Sequence, residues 1–253
     1  MQQKSIGIYP RWDDYARRGG PWRRFRARIL PAHVYKPLVK ELYFAGLRFR
    51  TRGLASKYES SKDLLVNLGC GGNGALGWVN VDGYPGPNVN CVCDCRTKLP
   101  FPDGSARGIF SEHFFEHLDY TDEVPSFLAE CLRVLRPGGV IRIVVPDAGK
   151  YLRAYCTEGW EDLTRLRGLH PGGMDPWMGC AYHTKMELVN MVFRQGTEHK
   201  WAYDGETLCF LLSYFGFVEP RPCAYRQSQL PELAIDQDVR RSESLYVEAR
   251  RAS

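Results

Sequence analysis

The stretch Leu64-Leu65-Val66-Asn67-Leu68-Gly69-Cys70-Gly71-Gly72-Asn73-Gly74-Ala75-Leu76-Gly77-Trp78-Val79-Asn80-Val81-Asp82 decides the fold. Its first five residues are a short apolar run that reads as a buried strand. That strand runs straight into glycines, which let a backbone turn sharply and approach a ligand closely. A second strand, Trp78–Val81, ends at Asp82. Gly69-x-Gly71-x-x-Gly74 matches the dinucleotide fingerprint by letter, but that site needs a helix opening at the third glycine and an acid ~20 residues beyond the turn. Only Ala75-Leu76-Gly77 separates Gly74 from the second strand, and Asp82 follows Gly69 by 13 residues. The spacing rejects a nicotinamide dinucleotide and points to another nucleoside.

Further along, Val89–Cys93 reads as a third strand ending at Asp94, and Ala106–Ser111 as a fourth after the turn Leu99-Pro100-Phe101-Pro102-Asp103-Gly104. Val124, Phe127, Leu128, Cys131, Leu132 and Leu135 recur with helical spacing, with Thr121 as N-cap and Pro137-Gly138-Gly139 as the stop. Val140–Val145 is a near-continuous β-branched run, the mark of a strand buried on both faces. Alternating strands and helices predict a mostly parallel α/β sheet with its ligands at the carboxyl ends of the strands. Asp82 and Asp94, at successive strand ends beside the glycine turn, suit ribose hydroxyls and an exocyclic amine.

These segments, in this order, closely resemble the class I S-adenosylmethionine-dependent methyltransferases. Val66–Gly71 resembles their first motif, with Asn67 where many members carry an acid, and Gly77–Asp82 resembles the ribose-binding strand. His113-Phe114-Phe115-Glu116-His117-Leu118 is similar to the family's Glu-His-Leu segment, and Leu132–Gly139 to its helix-to-strand-five motif. Gly77–Asp82 and His199–Leu208 narrow the resemblance to type-11-like members that modify surface glycans or natural products. The resemblance implies S-adenosylmethionine as cofactor, with S-adenosylhomocysteine as product, held by Asn67, Gly69, Cys70, Gly71, Asp82, Asp94, Cys95, Ser111 and His113. It implies a Rossmann-like sheet whose link from strand one to strand two is too short for the usual crossover helix. Basic N-terminal helices over residues 1–60 are expected to cover that face of a domain at 61–253, with 148–200 a lid inserted after strand five.

Methyl transfer requires alignment of acceptor and methyl and removal or holding of the acceptor's proton. Histidine suits the second task near neutral pH. His199 is the expected general base, oriented by Tyr203 or Asp204, with His113 and His117 beside the methionine end. Tyr182, His183, Asn190 and Asp204 are candidate acceptor contacts. His113-x-x-Glu116-His117 also fits the pattern of inverted zinc proteases, which needs both histidines on one helix face. Some methyltransferases that this chain resembles carry Glu-x-x-Glu-His there and bind a divalent ion. The primary expectation is no metal, with His113, Glu116, His117 and His199 as the set that would hold one.

Residues 1–57 hold 14 Lys or Arg against three acids, a charge of +11 that leaves −6 for the rest of a +5 chain. The run Trp22-Arg23-Arg24-Phe25-Arg26-Ala27-Arg28 makes this arm a candidate contact for an anionic partner. Leu38, Leu42, Ala45 and Phe49 mark one face of a helix from Val34 to Phe49, expected to pack on the body. Cys91, Cys93 and Cys95 would share one face of a strand and read as small buried residues rather than ligands. Nine unevenly spread cysteines suit reduced thiols in a cytoplasm. No stretch has the ~18 apolar residues of a spanning helix. The expected acceptor is an oxygen or nitrogen of a small molecule, glycan, peptide or natural product. The alternatives are a metal-assisted RNA 2′-O-methyltransferase, disfavoured because no RNA-binding module is evident, a zinc hydrolase, and a cofactor-binding regulator without catalysis.

Overall fold

In the computed structural model, which describes residues 32–253, the apolar runs become strands of one sheet. The strands are β1 (Leu64–Leu68), β2 (Val79–Asp82), β3 (Cys91–Val92), β4 (Ala106–Glu112), β5 (Leu135–Pro146), β6 (Phe217–Cys223) and β7 (Ser244–Arg251). Their order is β3-β2-β1-β4-β5-β7-β6. The first five run parallel, whereas β7 is antiparallel to both β5 and β6. That is the Rossmann-like class I methyltransferase sheet, as the sequence implied. Strand order reverses at β1, between β2 and β4, and the carboxyl ends of those strands are where a ligand binds in such a sheet.

The long helix α1 (Ala32–Tyr58) precedes the sheet, and α2 (Glu123–Val134) fills the crossover from β4 to β5. Beyond β5 lie α3 (Ala148–Cys156), α4 (Glu161–Arg167) and α5 (Lys185–Arg194), followed by α6 (Gly205–Tyr214). The α3–α5 segment has its own small core of Tyr151, Ala154, Leu163, Leu188, Val189 and Val192. Arg167, paired with Asp175 and Glu243, ties it to the start of β7.

No helix lies between β1 and β2. The short link is held instead by two asparagine amides, the buried Asn80 and the exposed Asn90. Asn80 accepts from Ala75 N and donates to Ala75 O, both at 2.9 Å. Asn90 accepts from Asn80 N and donates to Trp78 O, both at 2.8 Å. These bonds satisfy backbone groups that a helix would have paired internally. The same use of Asn90 trims β3 from the expected Val89–Cys93 to Cys91–Val92.

On the other side, α1 packs through Phe44, Leu47, Leu54 and Tyr58, with Tyr43 donating to Gly83 O at 2.9 Å. The helix therefore does cover the domain, but by the face opposite to the expected one. Leu38, Leu42 and Phe49 are 50%, 65% and 75% exposed. The apolar spacing 44-47-54-58 competes with 38-42-45-49, and the bulkier aromatic series reaches the core. The basic run Trp22–Arg28 lies outside the described residues.

Two further expectations are corrected at the ends of α2 and within β5. Thr121 does not cap α2; its Oγ and N, with Asp122 N, all donate to the Asp119 carboxylate. Asp119 N in turn donates to Glu123, so the turn before the helix closes around two acids. The Pro137-Gly138-Gly139 segment is already part of β5, which starts where α2 ends. At the centre of β5 the fully buried Arg142 interrupts the apolar run and pairs with Asp236 and Glu248. Among the described residues no helix is long and apolar enough to cross a membrane.

Candidate active site

The site has two halves at the carboxyl ends of the strands. The first is the glycine turn after β1. Gly69 and Gly71 take φ values of +71° and +51°, a region that disfavours side chains. A Cβ on Gly69 would lie 2.2 Å from the ring of Phe114, so the β1 turn and the segment after β4 meet there. Gly69 N and Cys70 N both donate to Val81 O, and Asn67 donates to Asn73 O at 3.4 Å. Asp82 ties the turn to β2: its two carboxylate oxygens accept from Gly71 N at 2.8 Å and from Tyr84 N at 2.9 Å. A carboxylate fixed by two backbone donors keeps further lone pairs for ribose hydroxyls. Cys70 is buried against Gly71 O, and burial with the nearby Asp82 charge pushes its thiol up to about 12. Cys95 is buried near this thiol.

Asp94 has another employment. It is 1% exposed, accepting from Arg48 and Arg96 side chains and from Arg96 N. Arg96 lies over the Phe44 ring and also reaches Glu41 and Glu123. The expected adenine-side acid is thereby committed to guanidinium groups, one of them supplied by α1. Arg48 was not marked by any motif; the acid Glu41, seven residues or about two helix turns before it, was the only hint.

The second half lies after β4. His113 sits at φ +51°, a turned conformation that ends the strand, and Phe115–His117 forms a single 3-10 turn. His113 Nε2 lies 3.0 Å from Ser244 Oγ and its Nδ1 3.4 Å from Glu116 Oε1. His113 and His117 therefore do not share a helix face, and the inverted zinc-protease geometry is absent. Glu116 is 2% exposed, and neither of its carboxylate oxygens has a hydrogen-bond partner. Burial works to raise this carboxyl, but the nearby imidazoles of His113, His117 and His199 hold it below its ordinary value.

His199 comes in from the segment before α6, anchored by Lys200 N and Trp201 N donating to Glu116 O. Its Nδ1 lies 2.6 Å from Val192 O, while its Nε2 is 3.9 Å from Glu116 Oε1. Burial lowers its pKa below the ordinary histidine value, against the Glu116 charge. His117 stands edge-on to it, ring centroids 4.7 Å apart, with Nδ1 3.1 Å from Glu198 O. The Tyr203 hydroxyl and Ser111 Oγ are buried without partners, and Tyr203 packs on Phe115. Burial and the Glu116 charge push the Tyr203 hydroxyl well up. Trp201 stacks on Tyr120, ring centroids 4.3 Å apart, beside this cluster.

The structure thus brings His113, Glu116, His117, His199 and Tyr203 together. It sets other expected residues apart from them. Asp204 accepts from Thr207 N as the N-cap of α6, so it does not orient His199; the Val192 carbonyl does. Tyr182 donates to Asp175 inside the segment between β5 and α6 at 2.5 Å. His183 N donates to Glu187 at the start of α5, and Asn190 is exposed beside a surface hollow of about 320 Å³ that Thr184, Met186 and Glu187 also line. Their hydrogen bonds are local, and none joins these three to the cluster. Glu112 went unmarked; it holds Gln237 by N and by side chain, bracing the segment before β7 against β4.

The sheet order is that of the Rossmann-like class I S-adenosylmethionine-dependent methyltransferase fold, with the glycine turn and the Asp82 carboxylate at its switch point. Residues 75–143 match the model of the methyltransferase domain family. Among solved structures it is similar to a 1,6-didemethyltoxoflavin-N1-methyltransferase from Burkholderia thailandensis, with 13% identity, 87% of this chain and 90% of that chain covered, and a TM-score of 0.43. A SAM-dependent methyltransferase from Archaeoglobus fulgidus shows 17% identity over 83% and 94% of the two chains, with a TM-score of 0.42. A Haloferax volcanii complex of the Trm112 methyltransferase activator with a putative methyltransferase gives 14%, 83%, 93% and 0.45 in the same order. No curated protein sequence matches the chain.

Proposed function

We propose that the protein transfers the methyl group of S-adenosylmethionine to an oxygen or nitrogen of a small acceptor, with a glycan, peptide or natural product as its class. The observation that carries this reading is the junction at Gly69, where the Phe114 ring joins the glycine turn to the segment bearing Glu116 and His117. A nucleoside held at the turn then has its reactive end next to a buried, polar, incompletely paired cluster. The residues fit the cofactor at its ribose and methionine ends: Asp82 is fixed for ribose, and Ser111 Oγ is an orphaned buried hydroxyl at the end of β4. The adenine end departs from the family pattern, because Asp94 is engaged by Arg48 and Arg96.

S-adenosylmethionine supplies an electrophilic methyl on sulfur; the acceptor lone pair displaces the sulfide and the acceptor proton must leave. His199 is set up to take or hold that proton. With its Nδ1 hydrogen given to Val192 O, Nε2 carries the lone pair, and burial keeps the ring neutral. The stacked Tyr120–Trp201 pair gives the acceptor a flat wall. The basic N-terminal sequence, at +11 over residues 1–57, suits an acceptor or carrier bearing phosphate. Titration of the protein with S-adenosylhomocysteine by calorimetry tests the reading. Micromolar binding that Asp82→Ala weakens supports it; a protein that takes up no S-adenosylhomocysteine is not this enzyme.

A further inference from the structure

Glu116 is the unusual group of this molecule. An ionised carboxylate in a protein interior is costly unless a cation or several donors meet it. Here the nearest nitrogen partners are His113 Nδ1 at 3.4 Å and His199 Nε2 at 3.9 Å, and neither oxygen has a hydrogen bond. A hydrogen-bonding role would have placed donors at contact distance, as it did for Glu112 and Glu243 in the same region.

The two imidazoles complete the picture. His199 Nδ1 faces the Val192 carbonyl and His117 Nδ1 faces the Glu198 carbonyl. A carbonyl can only accept, so each Nδ1 carries the hydrogen and each Nε2 presents a lone pair. That is the arrangement by which carbonyls orient metal-binding histidines. One ligand atom from each of Glu116, His117 and His199 lies within 4.8 Å of the other two. Donors about 2.0–2.2 Å from a tetrahedral zinc are themselves about 3–3.5 Å apart, so binding needs a closure of about an ångström. The three come from the 3-10 turn and from the loop before α6, which Lys200 N and Trp201 N clamp to Glu116 O.

We propose that Glu116, His117 and His199 bind one divalent first-row transition ion, with His113 as the positioning residue that steadies Glu116. Two imidazoles and a carboxylate suit zinc-like or manganese-like ions better than magnesium, which prefers oxygen and water. Three protein ligands leave coordination positions open. The site rests on the reading of this pocket as the acceptor end, and it deepens that reading: the acceptor class becomes one with an oxygen that such an ion can bind. It also changes the part of His199, whose Nε2 lone pair then belongs to the ion.

Titration of the chelator-treated full-length protein with Co(II), followed by its visible ligand-field absorption, tests the site. The expected result is one bound ion per chain, displaced by Zn(II), and lost in Glu116→Gln and in His117→Ala. His113→Ala should weaken binding by about 10–100-fold, as loss of an outer-shell partner does. Glu116→Gln keeps the side-chain volume and His117 is partly exposed, and the melting curve of each variant shows that it is folded. Absence of the band in the wild type, or a band retained in both variants, overturns the proposal. S-adenosylhomocysteine calorimetry on the same preparation keeps the two readings apart. Cofactor binding without cobalt removes the metal alone, and cobalt binding without cofactor removes the methyltransferase reading alone.

Discussion

The glycine turn and the Glu116 cluster meet in space where Gly69 faces Phe114, yet they are built on opposite terms. In the turn, every polar group that matters is paired with a neighbour close in sequence: Asp82 with Gly71 N and Tyr84 N, Asn80 with Ala75, Asn90 with Trp78. In the cluster, groups from residues 111–117, 199 and 203 converge, and Glu116, Tyr203 and Ser111 keep polar atoms buried and unpaired. A region with local, complete pairing is a scaffold that forms with the fold. A region with distant partners and unmet hydrogen-bonding capacity holds free energy in reserve for a ligand. The contrast assigns shape to the first half and chemistry to the second.

The largest effect should come from the unpaired half. His199→Ala is expected to lower turnover by roughly a hundredfold or more, with S-adenosylhomocysteine affinity retained in calorimetry. Near-normal turnover would remove His199 from the chemistry. At the paired half, Asp82→Ala removes a charged acceptor from two backbone donors. It should weaken S-adenosylhomocysteine binding by about 1.5–3 kcal/mol, roughly tenfold to over a hundredfold. A variant that binds normally would assign the ribose to another group.

The junction between the halves can be broken by one methyl. Gly69→Ala introduces a left-handed conformation for a side-chain residue and a contact of 2.2 Å with Phe114. The strain alone is about 1–3 kcal/mol, read as a lowered denaturation midpoint. Adding Phe114→Ala should relieve the contact but not the backbone strain, so the double variant recovers only part of the loss beyond its own cavity. Full recovery would mean that φ at this position can relax.

Smaller still is the helix cap. Asp204→Ala should cost about 1 kcal/mol of stability through the lost bond from Thr207 N. Its S-adenosylhomocysteine affinity should stay within the error of the titration, and a large loss of affinity would return Asp204 to the site.

Acid sharpens the comparison further. His199, facing Glu116, His117, His113 and the Val192 carbonyl, has its pKa lowered below the ordinary 6.5, mainly by burial. Below that ordinary value the unfolded chain takes up a proton that the folded chain resists, so stability falls as pH drops from 6.5 toward the folded value. Glu116, also held low, loses its contribution only further down, below 4.5. Melting temperatures of the metal-free protein between pH 7.5 and 5.5 should fall, and His199→Gln should flatten that slope. An unchanged slope would show that other groups set it.

Legibility followed the same division. Strands β1, β2 and β4 and the helix α2 could be read because local apolar spacing and glycine positions specify them with neighbours in sequence. The missing crossover helix followed from simple chain length between Gly74 and Trp78. The five asparagines between residues 67 and 90 were a signal for its substitute, since side-chain amides pair backbone that no helix satisfies. The buried face of α1 was misread because two apolar series share one helix, and only the facing core selects Phe44 and Tyr58 over Leu42 and Phe49. Asp94 was legible as a strand-end acid, but its partner Arg48 comes from 46 residues away.

By itself, the sequence determined the class of the domain, the strand that carries the turn, and the acid at the end of β2. Those features rest on periodicity, glycine and chain length, which act over a few residues. The tertiary structure alone decided which histidine nitrogens are free, which acids are already paired, and that Glu116 stands without a hydrogen-bond partner among three imidazoles. Hydrogen bonds and charge act over a few ångströms in space, and the chain brings His199 to Glu116 across 83 residues only by folding.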